Sequence, residues 1–167
     1  TISAGAGEDT IEGGAGNDVI NGDAGDDSIL WAVGDGDDTI DGGTDTDTLT
    51  LGMTDAAETV TITDTGFSGA SGPASVINVE TIGIDLKDGA DSVTVDGTAA
   101  GARYVLDGGA GSDTLTVNLT AGADTAAISV ATNRIEIDRD NNATNEISAA
   151  GFETVAINGG DDADIIT

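Results

Sequence analysis

The chain has 167 residues, no Cys, no His and only 2% aromatic residues, which excludes disulfides, zinc sites, thiol nucleophiles and imidazole bases and leaves little material for a bulky core. Its 32 acidic and 4 basic side chains give a formal net charge of −28, and this lack of a Lys/Arg footprint argues against nucleic acid and anionic lipid as partners. Because so acidic a chain repels itself when it is compact, counter-charge has to come from outside, and a divalent cation is the simplest source.

Residues 1–50 consist almost wholly of nine-residue repeats. The clearest copy is Gly13-Gly14-Ala15-Gly16-Asn17-Asp18-Val19-Ile20-Asn21, with glycines at the first, second and fourth places, Asp at the sixth and a branched aliphatic at the eighth. One copy thus combines a turn, a carboxylate and one core side chain, which it can bury only by stacking on its neighbours. The side chains predicted to form the core are Ile11, Ile20, Ile29, Ile40 and Leu49.

Four copies depart from this pattern, and one insertion interrupts the series. Ala4 and Val33 replace the first glycine of their copies. Asp23 replaces the second glycine of one copy, and Asp45 replaces the fourth glycine of another, so that the turn around Asp47 is expected to be either a weakened site or a cap. Trp31 and Ala32 are inserted between the third and fourth copies and should lengthen or bulge a strand. A packing or capping role is expected for Trp31 rather than ligand stacking.

The pattern G-G-x-G-x-D-x-U-x, where U is a large aliphatic, resembles the repeat-in-toxin (RTX), or haemolysin-type, calcium-binding nonapeptide, and five consecutive near-matches support the resemblance. In that family two nonapeptides form one turn of a right-handed parallel β-roll, and calcium ions lie between stacked turns along each edge. The resemblance implies that Asp9, Asp27 and Asp47 lie on one edge and Asp18 and Asp38 on the other. The chemistry agrees, because Ca²⁺ takes about six to eight oxygen ligands from carboxylates and carbonyls.

Beyond residue 50 the nine-residue rhythm dissolves, but segments such as 59–63, 76–85, 92–95 and 103–106 alternate polar and aliphatic residues and predict strands. A complete nonapeptide returns at 108–116. Residues 42–51 match 108–117 at an offset of 66, and residues 79–85 match 152–158 at an offset of 73. A second repeat, about 70 residues long, is therefore superimposed on the first.

These patterns predict an all-β chain folded as a right-handed parallel β-roll or β-solenoid with calcium-binding turns. Residues 1–50 would be the RTX-type β-roll, 51–107 a solenoid unit whose long repeat begins at about 42, and 108–167 a second, truncated copy. The alternative is a short β-roll followed by β-sandwich-like repeats, because alternating strands fit either layout.

The predicted metal ligands are carboxylates that occupy the sixth place of a complete or partial nonapeptide, namely Asp9, Asp18, Asp27, Asp38, Asp47, Asp113 and Asp164. Glycines in the same turns would allow close approach, and these are Gly5, Gly7, Gly14, Gly16, Gly25, Gly34, Gly36, Gly43, Gly109 and Gly111. Asp91, in a degraded copy, is a weaker candidate. Other acidic residues are expected mostly to face water, including Asp23, Asp26, Asp35, Asp37, Asp45, Asp124, Asp138 and Asp140.

The predicted function is that of a calcium-binding structural module, with several Ca²⁺ ions, in a large secreted or cell-surface bacterial protein such as an adhesin, surface layer or filament. Such a chain would fold on meeting calcium outside the cell. The alternative is the accessory or secretion module of an exported enzyme or toxin, and the resemblance implies type I secretion. Expected partners are calcium and neighbouring copies in a fibre or lattice. Neither catalysis nor membrane insertion is expected, because the four cations form no recognisable cluster with carboxylates and no apolar run approaches about 20 residues.

Overall fold

Short β-strands separated by glycine-containing turns make up the described part of the chain. The computed structural model describes residues 1–68, 72–73, 75–96, 102–119, 125–131, 134–138, 146–161 and 163–167, and none of these residues is helical. The first strands are β1 (Ile2–Ala6), β2 (Thr10–Glu12), β3 (Val19–Ala24), β4 (Ser28–Ala32), β5 (Thr39–Asp41), β6 (Thr48–Gly52), β7 (Thr59–Thr63), β8 (Gly66–Ser68), β9 (Ser75–Ile77) and β10 (Thr81–Asp85). The others are β11 (Asp88–Gly89), β12 (Ser92–Asp96), β13 (Arg103–Asp107), β14 (Ala110–Gly111), β15 (Thr114–Asn118), β16 (Thr125–Ala131), β17 (Arg134–Asp138), β18 (Ile147–Ala150), β19 (Thr154–Asn158) and β20 (Ile165–Ile166).

Two nonapeptides form one coil of the roll, as the resemblance to the RTX repeat implies. β3 lies parallel to β1, with Ile20 opposite Ile2, and β4 lies parallel to β2, with Ile29 opposite Ile11. The spacing between stacked residues is 18 in the first coil and 20 in the next. The insertion accounts for the difference, because it extends β4 to 5 residues where β2 has 3.

Trp31 has the packing role predicted for it. Its side chain is buried and lies opposite Leu51 of β6, and its Nε1 donates a hydrogen bond to the Gly36 carbonyl at 3.2 Å. A buried indole needs such a partner for its single N–H. The insertion is therefore absorbed within the core of the roll.

The strands form three main sheets. The first sheet has the order β1-β3-β5-β9, the long sheet has the order β2-β4-β6-β10-β13-β18-β17-β16-β20, and the late sheet has the order β19-β15-β12-β7-β8. From β1 to β6 the chain alternates between the first and long sheets. From β10 onwards it alternates between the long and late sheets, with the hairpin β16–β17 inserted before β18.

The stack of parallel coils continues beyond residue 50. β6, β10, β13 and β18 follow one another in the long sheet with parallel pairing. The later coils are unequal in length, with spacings of 33, 22 and 40 residues between stacked residues along the late sheet. Antiparallel pairing is confined, among the described strands, to β7–β8, β16–β17 and β17–β18. The solenoid prediction is thus confirmed and the β-sandwich alternative is wrong, whereas the division into three segments stays a prediction.

The core is a set of mostly aliphatic rows, because the register places inward-facing residues of successive coils opposite one another. In the long sheet one row runs through Ile11, Ile29, Leu49, Ile82, Tyr104 and Ile147. The predicted core residues Ile11, Ile20, Ile29, Ile40 and Leu49 are at most 4% exposed, so that prediction is confirmed. Each such side chain contributes about 1.5–3 kcal/mol, and the layer between the sheets stays thin.

Corresponding strands of the two copies of the long repeat lie on different sheets. Residues 48–52 form β6 of the long sheet, whereas their counterparts 114–118 form β15 of the late sheet. In the same way β10 belongs to the long sheet and its counterpart β19 to the late sheet. Equivalent aliphatic side chains, Leu49 and Leu115, are fully buried in both settings. Within the described ranges, no helix has the length and apolar character needed to cross a bilayer.

Candidate metal centre

Carboxylates stack in columns along the edges of the roll, one from each coil. In the first column the backbone N–H of Asp9 donates to Asp27 Oδ1 at 2.9 Å, that of Asp27 to Asp47 Oδ1 at 2.8 Å, and that of Asp47 to Glu80 Oε2 at 2.6 Å. Each of these residues immediately precedes a strand of the long sheet. The structure therefore brings Asp9, Asp27 and Asp47 to one edge, as the resemblance to the RTX repeat implies.

The second column belongs to the other edge of the first coils. The N–H of Asp18 donates to Asp38 Oδ1 at 2.7 Å, and the two residues precede β3 and β5 of the first sheet. The N-terminal ammonium group lies 3.5 Å from Asp18 Oδ1. The expected pairing of Asp18 with Asp38, on an edge separate from the first column, is thus present.

A late column precedes the strands of the late sheet. The N–H of Glu58 donates to Asp91 Oδ1 at 2.7 Å, that of Asp91 to Asp113 Oδ1 at 2.8 Å, and that of Asp113 to Glu153 Oε2 at 2.6 Å. Asp113 was predicted, whereas Glu58, Glu80 and Glu153 were missed as column members. The signal for the last two was their recurrence at matching positions 79–85 and 152–158 of the long repeat.

Each column leaves buried carboxylate oxygens without a hydrogen-bond partner. These atoms are Oδ2 of Asp27, Asp38, Asp47, Asp91 and Asp113, and Oε2 of Glu58. The aspartates are at most 2% exposed and Glu58 is 9% exposed. An unpartnered buried polar group costs about 1–3 kcal/mol, and more when it is charged. The columns therefore contain negative charge that the protein itself does not neutralise.

Main-chain carbonyls of the next coil face these oxygens across glycines. A methyl group on Gly22 would overlap both Asp27 Oδ2 and the Gly42 carbonyl oxygen, and one on Gly42 would overlap the Asn78 carbonyl oxygen and lie 2.7 Å from Asp47 Oδ2. Only a residue without Cβ leaves this space free. No three acidic side chains gather around one point in the described ranges, so a cation here would complete its shell with carbonyls. Such an all-oxygen set fits Ca²⁺.

The predicted turn glycines have the backbone geometry that the repeat requires. Positive φ is found at Gly5, Gly7, Gly14, Gly16, Gly25, Gly34, Gly36, Gly43, Gly109 and Gly111. Asp23 and Asp45 stand where the repeat has glycine and adopt φ of 73° and 84°. The Asp45 replacement thus preserves the turn, and Asp47 keeps its place in the first column.

Other acidic residues stand apart from the columns. Asp164 lies in the turn before β20, which pairs with β16, outside the coils that carry the three columns. Asp138 was expected to face water, but that prediction is wrong, because it is only 4% exposed at the end of β17. The expected solvent exposure is found at Asp26, Asp37 and Asp45, whereas Asp23 and Asp35 are half-buried. Asp124 and Asp140 lie outside the described residues.

Burial raises the pKa of the Asp38, Asp47 and Asp91 carboxyls above the usual value of 3.8, because it penalises the charged form. In each case a backbone N–H donor acts in the opposite direction, and a carboxylate of the same column adds to the increase in pKa. That neighbour is Asp18 for Asp38, Asp27 for Asp47 and Asp113 for Asp91. Protons and cations therefore compete for the same oxygens.

Acidification is expected to stabilise the metal-free fold. A carboxyl whose pKa is higher in the folded than in the unfolded chain stabilises the fold below the unfolded pKa and loses that effect as the pH rises through the folded pKa. Circular dichroism of the chelated chain should show increasing β-structure as the pH falls from about 7 towards 3.8.

The variant Asp38→Asn should show a smaller increase, whereas Asp37→Asn, at an exposed residue of the same turn, should resemble the parent. With calcium present the pH dependence should reverse, because protons displace the ion. The same pH dependence with and without calcium would contradict this expectation.

Fold and columns together define a parallel β-roll whose edges are lined with oxygen ligands for hard cations. The sequence model of the RTX calcium-binding nonapeptide repeat matches residues 1–29, 33–53 and 105–126, in four copies. In these segments the chain carries repeats of the RTX calcium-binding type. No curated protein and no solved structure matches the chain. The matched segments include Asp9, Asp18, Asp27, Asp38, Asp47 and Asp113, and they do not include Glu58, Asp91 or Glu153.

Proposed function

We propose that this chain is a structural module of a larger secreted or cell-surface bacterial protein and that it folds when it binds calcium outside the cell. The RTX repeats make it a calcium-binding module. The observation that carries the rest is the set of buried, unpartnered Oδ2 atoms in the columns. A fold that buries these charges needs a bound counter-charge, so cation binding and folding are coupled.

In the first column, Asp27 and Asp47 would hold calcium with their Oδ2 atoms, together with the Gly42 and Asn78 carbonyls that face them. The ion supplies positive charge between successive coils. The residues of the chain supply the geometry, because the hydrogen bond from each N–H to the next Oδ1 fixes the carboxylate and turns its other oxygen towards the carbonyls. No catalytic step is assigned to this chain.

The proposed location follows from calcium concentrations. Extracellular calcium modules have dissociation constants of about 10⁻⁴–10⁻³ M, far above cytosolic calcium levels. A chain with a net charge of −28 would stay unfolded inside the cell and fold after export. RTX repeats are typical of secreted proteins, which agrees with this order of events.

Within such a protein, the role proposed is that of an element of an adhesin, surface layer or extracellular filament. The support is the long internal duplication, together with a long sheet in which β2, β4, β6, β10, β13 and β18 pair in parallel over six coils. A stack that extends along one axis by repetition has the shape of a spacer. Contact with neighbouring copies of the chain is part of the same proposal.

Calcium uptake by the purified chain tests the proposal. Competition with a chromophoric calcium chelator should reveal several bound ions per chain, and Mg²⁺ should not replace them, because it demands octahedral geometry and sheds its water reluctantly. Asp47→Asn should bind less calcium than Asp45→Asn, a matched control at an exposed residue of the same turn where Asn tolerates the positive φ. A chain that takes up no calcium would overturn the proposal.

A further inference from the structure

The late column extends into a part of the chain that the repeat model does not match. Glu58 and Asp91 lie between the matched segments 33–53 and 105–126, and Asp113 lies inside the second of them. The sequence around Asp91 has Lys87 where the repeat has its second glycine. Any site at this level of the stack is therefore built from residues outside the nonapeptide motif.

The turn before Asp91 nevertheless has the backbone of a complete repeat. It stacks on the turn before Asp113 with Asp88 opposite Ala110 and Gly89 opposite Gly111. Lys87 adopts a φ of 67°, close to the 79° of Gly109, and Gly89 and Gly111 both have a φ of 155°. The Lys87 side chain is thus accommodated without loss of the turn geometry.

Asp91 in this turn and Glu58 in the neighbouring coil each keep one carboxylate oxygen without a hydrogen-bond partner, as the buried aspartates of the first column do. Asp91 is 2% exposed, and its Oδ1 accepts the Glu58 N–H while its Oδ2 has no hydrogen-bond partner. Glu58 uses Oε1 to accept hydrogen bonds from the backbone N–H and hydroxyl of Thr54, and its Oε2 is buried without a hydrogen-bond partner. Both side chains therefore retain a free, desolvated ligand atom.

Oxygens of two coils converge in front of Gly89. A methyl group at that position would lie 2.8 Å from the Ala56 carbonyl oxygen and 2.8 and 3.0 Å from Asp91 Oδ1 and Oδ2. Ala56 belongs to the turn before Glu58, in the neighbouring coil, and Asp91 belongs to the same turn as Gly89. A carbonyl and a carboxylate thus meet in a space that exists only because residue 89 has no side chain.

Within the described part of the chain, no basic group forms an ion pair with Glu58, Asp91 or Asp113. Lys87 is the one basic residue of the turn, but its ammonium group is on the outside, where it pairs with the exposed Asp85 carboxylate. Three successive carboxylates, Glu58, Asp91 and Asp113, are at least nine-tenths buried. Desolvated like charges at this spacing require a counter-ion.

We propose that Asp91, together with Glu58 and the Ala56 carbonyl, binds a Ca²⁺ ion between the turns at residues 54–58 and 87–91. This site lies outside the repeat motif and extends metal binding along a third edge of the solenoid. It rests on the calcium binding proposed above, since it uses the same ion and the same pairing of a buried carboxylate with a carbonyl of the adjacent coil. Carbonyls and a carboxylate able to bind through both oxygens favour Ca²⁺ over Mg²⁺.

Equilibrium dialysis with radioactive calcium counts the ions and tests the site. Asp91→Asn keeps the size of the side chain and should bind about one Ca²⁺ fewer per chain than the parent. Asp88→Asn, which removes an exposed carboxylate from the same turn, should bind as many as the parent. Glu58→Gln provides a second test at the end of the column and should also lose about one ion.

The outcomes distinguish the proposed site at Asp91 from calcium binding by the rest of the chain. If Asp91→Asn and Glu58→Gln retain every ion while Asp47→Asn loses calcium, the late site is wrong and the calcium-binding module stands. If the parent chain itself takes up no calcium, both proposals fail. Circular dichroism at saturating calcium accompanies each count, and should Asp91→Asn not fold, the count for Glu58→Gln decides.

Discussion

Chelation of calcium is expected to unfold the roll. Each site held at about a thousand times its dissociation constant stabilises the fold by about 4.1 kcal/mol, while an ordinary domain has a total stability of about 5–15 kcal/mol. Loss of two or three ions would therefore remove a free energy as large as the whole free energy of unfolding of an ordinary domain. Far-UV circular dichroism and hydrodynamic radius should change together, from an expanded, disordered chain in chelator to a compact β-roll when calcium is restored.

Adding monovalent salt at high concentration distinguishes the effect of bound calcium on the fold from the effect of general charge screening. At about 1 M salt the Debye length falls to about 3 Å, which screens repulsion between exposed carboxylates. Buried oxygens such as Asp27 Oδ2 and Asp47 Oδ2 gain nothing from that screening. NaCl should thus fail to restore the β-roll in chelator. Recovery of the fold by NaCl alone, or β-structure that persists through chelation, would contradict the coupling of folding to calcium.

Gly22→Ala is expected to destabilise the calcium-loaded roll by at least about 3 kcal/mol and to weaken calcium binding. The added methyl group would overlap the Gly42 carbonyl oxygen of the next coil and Asp27 Oδ2, a proposed ligand. The effect is purely steric, because Gly22 is not among the residues with positive φ. It should appear as a lower denaturant midpoint at saturating calcium.

Gly83→Ala is the matched control. Gly83 lies in β10 of the long sheet, and a methyl group there would be 4.0 Å from the nearest atom, the Leu49 carbonyl oxygen. This substitution should be neutral or stabilising by up to about 1 kcal/mol, since it reduces the freedom of the unfolded chain. Equal midpoints for the two variants would show that coils do not approach each other closely at Gly22.

The periodic part of the fold was predictable because each nonapeptide makes the same contacts. The spacing of glycine, aspartate and aliphatic residues was sufficient to predict the burial of Ile20 and Ile29. The placement of Asp27 and Asp38 on different edges was implied by the resemblance to the RTX repeat. These features depend on neighbours at a fixed distance along the chain. A sequence that keeps the same residue types at this spacing therefore packs in the same way in each coil.

The ends of the columns were not predictable from the motif, because they use a different turn and a longer side chain. Glu80 follows Asn78, which has a φ of 52°, and Glu153 follows Gly151, which has a φ of 73°. The additional methylene of glutamate allows its carboxylate to reach the N–H of the preceding coil from a turn that lacks the nonapeptide pattern. Their shared position in the long repeat was visible, but nothing in it indicated which backbone group they would contact.

Two further features could not be predicted from the sequence pattern. One is the antiparallel hairpin β16–β17, and the other is that the later strands form the late sheet instead of extending the first sheet. Alternating strands such as 125–131 have the same sequence signature whether they pair in parallel or antiparallel fashion. The choice depends on contacts between residues far apart in the chain. Local periodicity contains no information about it.

Corresponding strands of the long repeat lie on different sheets, and this affects which duplications in the gene can lengthen the solenoid. Leu49 and Leu115 are equivalent in sequence and fully buried, yet one belongs to the long sheet and the other to the late sheet. Both walls of the solenoid accept the same pattern of inward aliphatic and outward polar residues. A duplication that adds an odd number of strand-and-turn units therefore still encodes a chain whose coils can stack. The duplicated segment needs only to keep each carboxylate in the turn that precedes its strand.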